Sequence, residues 1–163
     1  MPPLVDLQDT LTHRSSRELP ASVLEDAVRR VSAASRDRAL RANRRRRGED
    51  RDAREHALLL RHLSARFDGI ALAYDRDDAL VGVSAAGHAG THPVITLIGV
   101  VPELRGQQHA SRLLVAATRR CAQAFPGAAV RADCDVQNEP MARCFRHAGF
   151  DRFATRTEYR GER

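Results

Sequence analysis

A strand, a turn and a helix follow one another without a gap in the stretch Leu97-Ile98-Gly99-Val100-Val101-Pro102-Glu103-Leu104-Arg105-Gly106-Gln107-Gln108-His109-Ala110. The apolar run 94–101 predicts a strand that is buried on both faces. A strand that passes directly into a helix aims several unpaired backbone N–H groups, and the positive end of the helix, at one spot. Gly106 and the small Ala110 leave room for a ligand beside that backbone. The stretch therefore predicts a binding site for an anion such as a pyrophosphate.

Helical and strand patterns on both sides of this stretch predict an α/β sheet of mixed direction, with two strand-helix-strand crossovers in its second half. The expected helices are residues 20–35, 52–67, 108–124 and 139–148. The expected strands are residues 70–74, 79–86, 94–101, 130–136 and 150–159, and a short strand is compatible with residues 4–7. The helix at 52–67 is expected to bury four apolar side chains, Leu59, Leu60, Leu63 and Phe67.

Two segments of the chain resemble the acyl-CoA motifs of the GNAT superfamily of N-acetyltransferases. Residues 100–110 read V-x-P-E-x-R-G-x-x-x-A, and residues 138–150 read N-E-P-M-A-R-C-F-R-H-A-G-F, similar to the superfamily's N-x-x-A-x-x-x-Y-x-x-x-G-F helix. The resemblance covers roughly residues 69–153. It implies an α/β fold with a GNAT-like mixed, splayed central sheet flanked by helices.

The resemblance also implies that acetyl-CoA, or another acyl-CoA, is the cosubstrate. Its pantetheine arm would pair with the strand at residues 97–101, commonly at a bulge, which Gly99 would suit. Gly99 could equally serve tight packing. The expected cofactor-binding residues are Ile98, Gly99, Val100, Val101, Arg105, Gly106, Gln107, Gln108, His109, Ala110, Asn138 and Phe145.

Two positions depart from the pattern of the superfamily. Gln108 stands where the motif R/Q-x-x-G-x-G/A has its glycine, which predicts altered or weaker cofactor binding. Phe145 stands where many relatives carry a tyrosine that protonates the departing thiolate, and phenylalanine cannot donate a proton. A thiol with a reference pKa of about 8.5 is already a tolerable leaving group, so the reaction can survive this loss. Water, Tyr159 or the substrate could supply the proton, and Cys144 points about 100° away along the helix.

An amine acceptor needs a group that collects its proton, because an amine of pKa about 10.4 is neutral in only about one molecule per thousand near pH 7.4. The strand that begins at His92 contains no carboxylate, and His92 itself titrates near physiological pH. We therefore hypothesise that His92 is the general base, although an ordinary loop histidine is the simpler interpretation. Asn138 is expected to cap the last helix and to reach the pantetheine region.

The length and composition limit the classes of protein to which the chain can belong. A chain of 163 residues is expected to form a single domain, 1–163, with a mainly helical part at 1–66 and the sheet with the acyl-CoA site at 69–160. It has no run of apolar residues that resembles a membrane span or a signal peptide, so a cytoplasmic location is expected. The three cysteines are widely spaced, which favours reduced thiols and no metal site.

The net charge of +6 comes largely from an arginine cluster, defined as Arg41, Arg44 to Arg47, Arg51 and Arg54. All 27 basic residues are arginines. The cluster either steers an acceptor bearing carboxylate or phosphate, or is an ordinary solvated loop or helix end.

The expected activity is N-acyl transfer from CoA directly to an amine of a small molecule, without a covalent enzyme intermediate. One alternative is a catalytically degenerate acyl-CoA sensor, because of Gln108 and Phe145. Another is a basic nucleic-acid-binding protein, which is disfavoured because aromatic residues are only 4% of the chain and no reading motif is present. A homodimer is compatible with the sequence.

Overall fold

A five-stranded sheet forms the centre of the computed structural model, which describes residues 10–157. The strands are β1 Thr12–Ser15, β2 Ile70–Tyr74, β3 Leu80–Ala89, β4 His92–Val100 and β5 Arg131–Ala132, and they lie in this order across the sheet. The first four are antiparallel to their neighbours, whereas β5 runs parallel to β4. The mixed sheet predicted from the sequence is confirmed.

Five helices accompany the sheet: α1 Ala21–Ser32, α2 Arg38–Arg47, α3 Glu49–Leu63, α4 His109–Ala124 and α5 Glu139–His147. Short 3₁₀ turns occupy Ser16–Glu18 and Pro102–Leu104. Within residues 10–157, no helix combines the length and the apolar character that crossing a membrane requires. The arginine-rich segment forms the helix α2, whose N-terminus is capped by the side chain of Asp37. The sequence analysis had interpreted this segment as a loop or a helix end. Arginine is a good helix former, so a run of arginines is compatible with this structure.

The two faces of the sheet are covered by different helices. On one face, Leu24 and Val28 of α1 and Leu60 of α3 pack in a cluster with Leu72 and Val83 of the strands. On the other face, α4 and α5 bury a second cluster that includes Ala86, Ile95, Leu114, Cys121 and Cys144. Two apolar layers on one sheet give the flanked arrangement expected for the fold.

One predicted core residue is wrong. Leu59 is 52% exposed, whereas the buried stripe of α3 consists of Ala53, Ala57 and Leu60. The run of three leucines at 58–60 conceals the phase of the helix, because adjacent leucines lie about 100° apart around the axis. Ala53 and Ala57 lie on the same face of the helix as Leu60, and they indicate that Leu60 is the leucine that faces the sheet.

The expected strands beyond α4 are mostly missing. The strand predicted at 130–136 shrinks to Arg131–Ala132, and Val136 is 66% exposed. Of the strand predicted at 150–159, residues 150–157 adopt no strand conformation, while 158 and 159 lie outside the described residues. A strand needs a ladder partner, and the adjacent edge of the sheet, β5, offers one only two residues long. Only the first of the two expected crossovers is therefore formed within the described chain.

The N-terminal part of the sheet also differs from the prediction. The strand suggested at residues 4–7 lies outside the described residues, whereas β1 forms at Thr12–Ser15 and pairs with β2. The mixed, largely polar sequence of β1 carries no apolar alternation that would reveal it. Its position depends on the partner strand instead.

Candidate functional site

The sheet opens between β4 and β5. These strands pair at only two positions, Val94 with Arg131 and Ile95 with Ala132. Residues 97–100 of β4 continue in register with β3 on one side but have no strand on the other side within residues 10–157. Apart from the carbonyl oxygen of Val100, which accepts from Arg105, the backbone groups on that edge have no partner in the described chain and can bind an extended ligand. This is the splayed arrangement expected for the fold class.

A β-bulge lies at Thr96, where the opening begins. Leu97 pairs with Ala85 and Ile95 pairs with Ala86, so Thr96 is an extra residue in β4. In consequence Ile95 packs on the α4/α5 face while Leu97 packs on the α1/α3 face, although residues two apart normally share a face. A bulge bends the strand that carries it. The bend follows directly after the last pair with β5 and accounts for the end of that ladder.

The bulge does not lie at Gly99. This glycine pairs in register with Val83, and a Cβ at this position would lie 2.6 Å from Cγ2 of Val31 in α1. Gly99 therefore serves close packing of α1 on β4, which was the alternative left open by the sequence. The sequence alone could not distinguish a bulge from close packing at this position, because both favour glycine.

The turn before α4, residues 106–110, has a conformation suited to anion binding. Gly106 has φ +83° and Gln108 has φ +61° and ψ 11°, so Gln108 adopts the left-handed conformation that glycine adopts readily. Within the described chain, the N–H groups of 106–110 have no hydrogen-bond acceptor, and no side chain caps α4. The turn thus keeps the predicted geometry despite the missing glycine, at a cost of about 1 kcal/mol.

The side chain of Arg105 does not point toward these free amides. Its Nε donates to the carbonyl oxygen of Val100 at 3.1 Å, and its Nη1 donates to Ala34 at 2.9 Å. Its Nη2 donates to Val31 at 3.0 Å and to Ala33 at 2.7 Å. The sequence predicted Arg105 as a cofactor-binding residue, but the carbonyls at the end of α1 and that of Val100 occupy the donors of its side chain. Arg105 instead fastens the turn to α1.

The segment 33–38, between α1 and α2, spans the opening. At its start, Arg105 binds the carbonyls of residues 33 and 34, and at its end Nε of Arg38 lies 3.0 Å from Oδ2 of Asp135, which follows β5. The backbone N–H of Gln137 and the Arg38 side chain hold the pKa of Asp135 below its usual range. Segment 33–38 is thus bound to both sides of the opening and forms a wall beside it.

Asn138 lies at the start of α5 on the β5 side. Its carbonyl oxygen accepts from the N–H groups of Met141 and Ala142, each at 3.0 Å, but its side chain makes no cap. The prediction of a side-chain cap is therefore wrong, because ψ of 60° at Asn138 departs from the extended conformation that brings such a side chain over the helix end. Within residues 10–157 its amide group has no partner and remains available to a ligand.

Phe145 packs in the α4/α5 cluster, with its ring centroid 5.4 Å from that of Phe150. The neighbouring Cys144 is buried, and its Sγ lies 3.4 Å from Oγ of Ser111 in the first turn of α4. Burial raises the pKa of the Cys144 thiol, which outweighs the opposing effect of the Ser111 hydrogen bond. Tyr159, the other candidate proton donor from this chain, lies outside the described residues.

His92 stands on the closed side of the β4–β5 pair. It opens β4 opposite Ala89, and Nδ1 lies 3.3 Å from the Thr91 hydroxyl. Thr96 lies four positions further along β4, about 13 Å away, and the two residues that pair with β5 lie between them. Burial lowers the pKa of His92, and Arg131 and His88 lower it further. These effects favour the neutral imidazole, but the structure does not bring it to the open part of β4.

The sequence analysis missed two buried polar groups, one at the opening and one in α3. The Oγ1 atom of Thr96 is buried and has no hydrogen-bond partner in the described chain. In α3, Nδ1 of His56 is likewise buried without a partner there, and Asp52, one turn earlier, is 5% exposed. Burial lowers the pKa of His56, while the charges of Asp52 and Asp37 oppose this effect. A single threonine inside an apolar run, and the i, i+4 spacing of Asp52 and His56, were the available signals.

The arginine cluster is largely neutralised by ion pairs. The pairs are Arg44 with Glu49, Arg47 with Glu55 and Asp52, Arg51 with Glu55, and Arg54 with Glu25. In the described part of the chain, Arg41, Arg45 and Arg46 make no such pair. The positive field at α2 is therefore weaker than the residue count indicates.

These features together suit a long anionic ligand that has a diphosphate at one end and an extended arm along β4. The model of the acetyltransferase (GNAT) family matches residues 35–150 of this chain. The chain belongs to the GNAT acetyltransferase family. No curated protein matches it significantly by sequence.

Solved structures of several proteins are similar to this GNAT fold. A protein from Pyrococcus horikoshii has a TM-score of 0.69 at 15% identity, covering 90% of this chain and 92% of that chain. The aminoglycoside 6'-N-acetyltransferase AAC(6')-Ih from Acinetobacter baumannii has a TM-score of 0.60 at 16% identity, covering 93% and 98%. AAC(6')-Iy, in complex with the bisubstrate analog CoA-S-monomethyl-acetylneamine, has a TM-score of 0.56 at 16% identity, covering 93% and 97%. At these identities the likeness shows the fold alone.

The residues present fit the acetyl-CoA that the GNAT family uses. The unpaired N–H groups of 106–110 suit the diphosphate, and the free edge of β4 at 97–100 suits the amide groups of the pantetheine arm. The accessible amide of Asn138 lies on the opposite side of the opening. The fit depends on the backbone far more than on side chains, which explains how Gln108 is compatible with it.

Proposed function

We propose that this protein is an acyl-CoA-dependent N-acetyltransferase that acts on an amine of a small molecule. The observation that carries the proposal is the turn 106–110, whose free N–H groups follow a strand with one open edge. A bound acetyl-CoA would supply an activated acetyl thioester. The backbone of 106–110 would hold its diphosphate, and residues 97–100 and Asn138 would hold the pantetheine arm.

The chemistry is a direct transfer. The amine nitrogen forms a bond to the acetyl carbon while the carbon–sulfur bond breaks, the nitrogen loses one proton and the thiolate of CoA takes one up. The contribution of the protein is to hold the two reactants in contact and to exclude competing orientations. Phe145 supplies no proton, so the thiolate leaves unassisted or takes its proton from water, the substrate or Tyr159.

The acceptor is proposed to lie between the opening and the wall formed by 33–38. Two proteins of similar fold are described as aminoglycoside N-acetyltransferases, which supports an amine carried by a small molecule. An anionic group on the acceptor is a narrower proposal that depends on Arg41, Arg45 and Arg46, since the other four members of the arginine cluster are engaged in ion pairs. Matched neutral and anionic amines test it: a KM that rises with salt only for the anionic amine supports steering, and equal salt dependence contradicts it.

Calorimetry with CoA and acetyl-CoA, followed by measurement of thiol release with an amine panel, tests the main proposal. The panel contains an aminoglycoside, a polyamine and an amino acid. Binding of both cofactor forms, and thiol release that requires an amine, are the expected results. The absence of binding to either form would contradict the proposal at its first step.

A catalytically inactive sensor of acyl-CoA is the second candidate. Phe145, which lacks a donor, and the left-handed Gln108 favour it. Binding of acetyl-CoA without thiol release for any amine in a broad panel would support the sensor over the enzyme.

A further inference from the structure

The buried hydroxyl of Thr96 needs an explanation. A buried hydroxyl without a hydrogen bond costs about 1–3 kcal/mol relative to one that is bonded. Oγ1 of Thr96 has no partner within residues 10–157, and it lies in the bulge at which β4 parts from β5. A valine of the same shape would avoid the cost. An unfavourable polar group at the start of a ligand cleft indicates a role toward the ligand.

Other buried hydroxyls of the molecule contrast with Thr96. The hydroxyl of Thr118 donates to the carbonyl of Leu114 at 2.8 Å, that of Ser64 donates to Leu60 at 2.8 Å, and that of Ser84 accepts from Arg120 at 2.7 Å. Ser32 also has a buried hydroxyl without a partner in the described chain, but it ends α1 and does not belong to a strand at the opening. Thr96 combines the missing partner with a position at the opening.

We propose that Oγ1 of Thr96 donates a hydrogen bond to the carbonyl oxygen of the acyl thioester. This inference rests on the proposed acetyl-CoA function and adds a catalytic residue to it. The residue as a whole is only half-buried, and the proposal requires a rotation about χ1 that turns the hydroxyl from its buried position toward the open edge of β4. When the amine attacks, negative charge develops on the carbonyl oxygen, and a donor at this position stabilises it more than it stabilises the ground state.

The bulge supplies the geometric reason for this placement. It adds Thr96 between Ile95 and Leu97, which pack on opposite faces of the sheet. The two flanking residues belong to the two apolar layers, and Thr96 is the extra polar residue between them. Bulges commonly redirect one side chain in this way beside functional sites.

The test compares the affinities for acetyl-CoA and for CoA by calorimetry, which requires no knowledge of the acceptor. Thr96→Val should weaken acetyl-CoA by roughly 3- to 10-fold, the equivalent of one hydrogen bond, while CoA changes by less than about twofold. Thr96→Ser should retain the wild-type preference because it retains the hydroxyl. Thr118→Val is the matched control: it removes a buried hydroxyl that has a partner, and it should leave the ratio of the two affinities unchanged.

Thermal unfolding of the same variants separates this role from packing. Thr96→Val should keep or raise the Tm, since an unpaired hydroxyl is replaced by a methyl group, whereas Thr118→Val should lower it. Equal weakening of acetyl-CoA and CoA in Thr96→Val, no weakening of either, or a serine variant that behaves like valine would overturn the proposal. If the wild type binds neither form, the acetyl-CoA function itself fails, and this outcome is distinct from a Thr96 effect in a protein that binds both.

Discussion

The two sides of the opening are built very differently. On one side, β4 pairs with β3 over residues 92–100 and continues into the turn that Arg105 fastens to α1. On the other side, β5 is two residues long, Val136 is 66% exposed and Phe153 is 72% exposed. The β4 side has dense packing and many backbone hydrogen bonds, and the β5 side has few of either. The β4 side, called the fixed side below, is therefore the one proposed to bind the constant part of the ligand, and the β5 side depends on ion pairs such as that of Arg38 with Asp135.

The comparison predicts that Arg105 is the most sensitive residue of the fixed side. Arg105→Met removes donors to four carbonyl groups and should lower the free energy of unfolding by about 1.5–3 kcal/mol, because two part-buried and two exposed carbonyl oxygens lose a charged donor. Urea denaturation measures this loss. Calorimetry should also detect weaker CoA binding, since the turn is no longer fastened to α1.

Two further variants interpret that result. Arg105→Lys keeps the charge but not the planar fork, so it should recover little of the lost stability. Arg119→Gln, an exposed position on α4, should change stability by less than about 0.5 kcal/mol. A lysine variant as stable as the wild type would mean that charge alone holds the turn, and the contrast between the two sides would weaken.

The second prediction separates strain in the turn from general strain. Gly106→Ala places a side chain in open space but at φ +83°, so it should cost about 1–2 kcal/mol of stability through the backbone alone. Gly48→Ala, at φ +81° and equally open, should cost a similar amount. Only Gly106→Ala should weaken CoA binding. Equal effects of both variants on CoA affinity would contradict a specific role for the turn.

The third prediction has the opposite sign. Gln108→Gly should stabilise the protein by about 0.5–1 kcal/mol, because glycine adopts φ +61° without the penalty that glutamine pays. CoA affinity should stay equal or improve, since the backbone is already in the required conformation. A loss of affinity in Gln108→Gly would show instead that the glutamine side chain itself contacts the ligand.

The fixed side could be predicted from the sequence, and the β5 side could not, for a physical reason. The strand, turn and helix at 97–110 form from residues adjacent in sequence, so apolar periodicity and Gly106 suffice to identify them. Strand formation at 130–136 and 150–159 depends on a distant partner, and the bulge at Thr96 removes that partner after two residues. The sequence analysis expected the bulge at Gly99, whereas the structure has it at Thr96. Local signals therefore predicted the turn that is proposed to hold the diphosphate, while the positions of the candidate proton donors and acceptors depend on tertiary contacts.

The smallest predicted effect concerns His56, which lies beside the wall that joins the two sides. Burial lowers its pKa in the folded protein, whereas the unfolded chain has the ordinary value near 6.5. Between the two values the unfolded chain binds more protons, so stability is complete above about pH 6.5 and falls as the pH drops toward the folded pKa. Asp52 and Asp37 oppose the shift and keep the effect modest.

His56→Gln should therefore lose less Tm than the wild type between pH 7 and pH 5, and His62→Gln, an exposed control on the same helix, should follow the wild type. Parallel curves for wild type and His56→Gln would mean that this imidazole is as solvated as in the unfolded chain, and segment 33–38 would then be a looser wall than its contacts with Arg105 and Asp135 indicate.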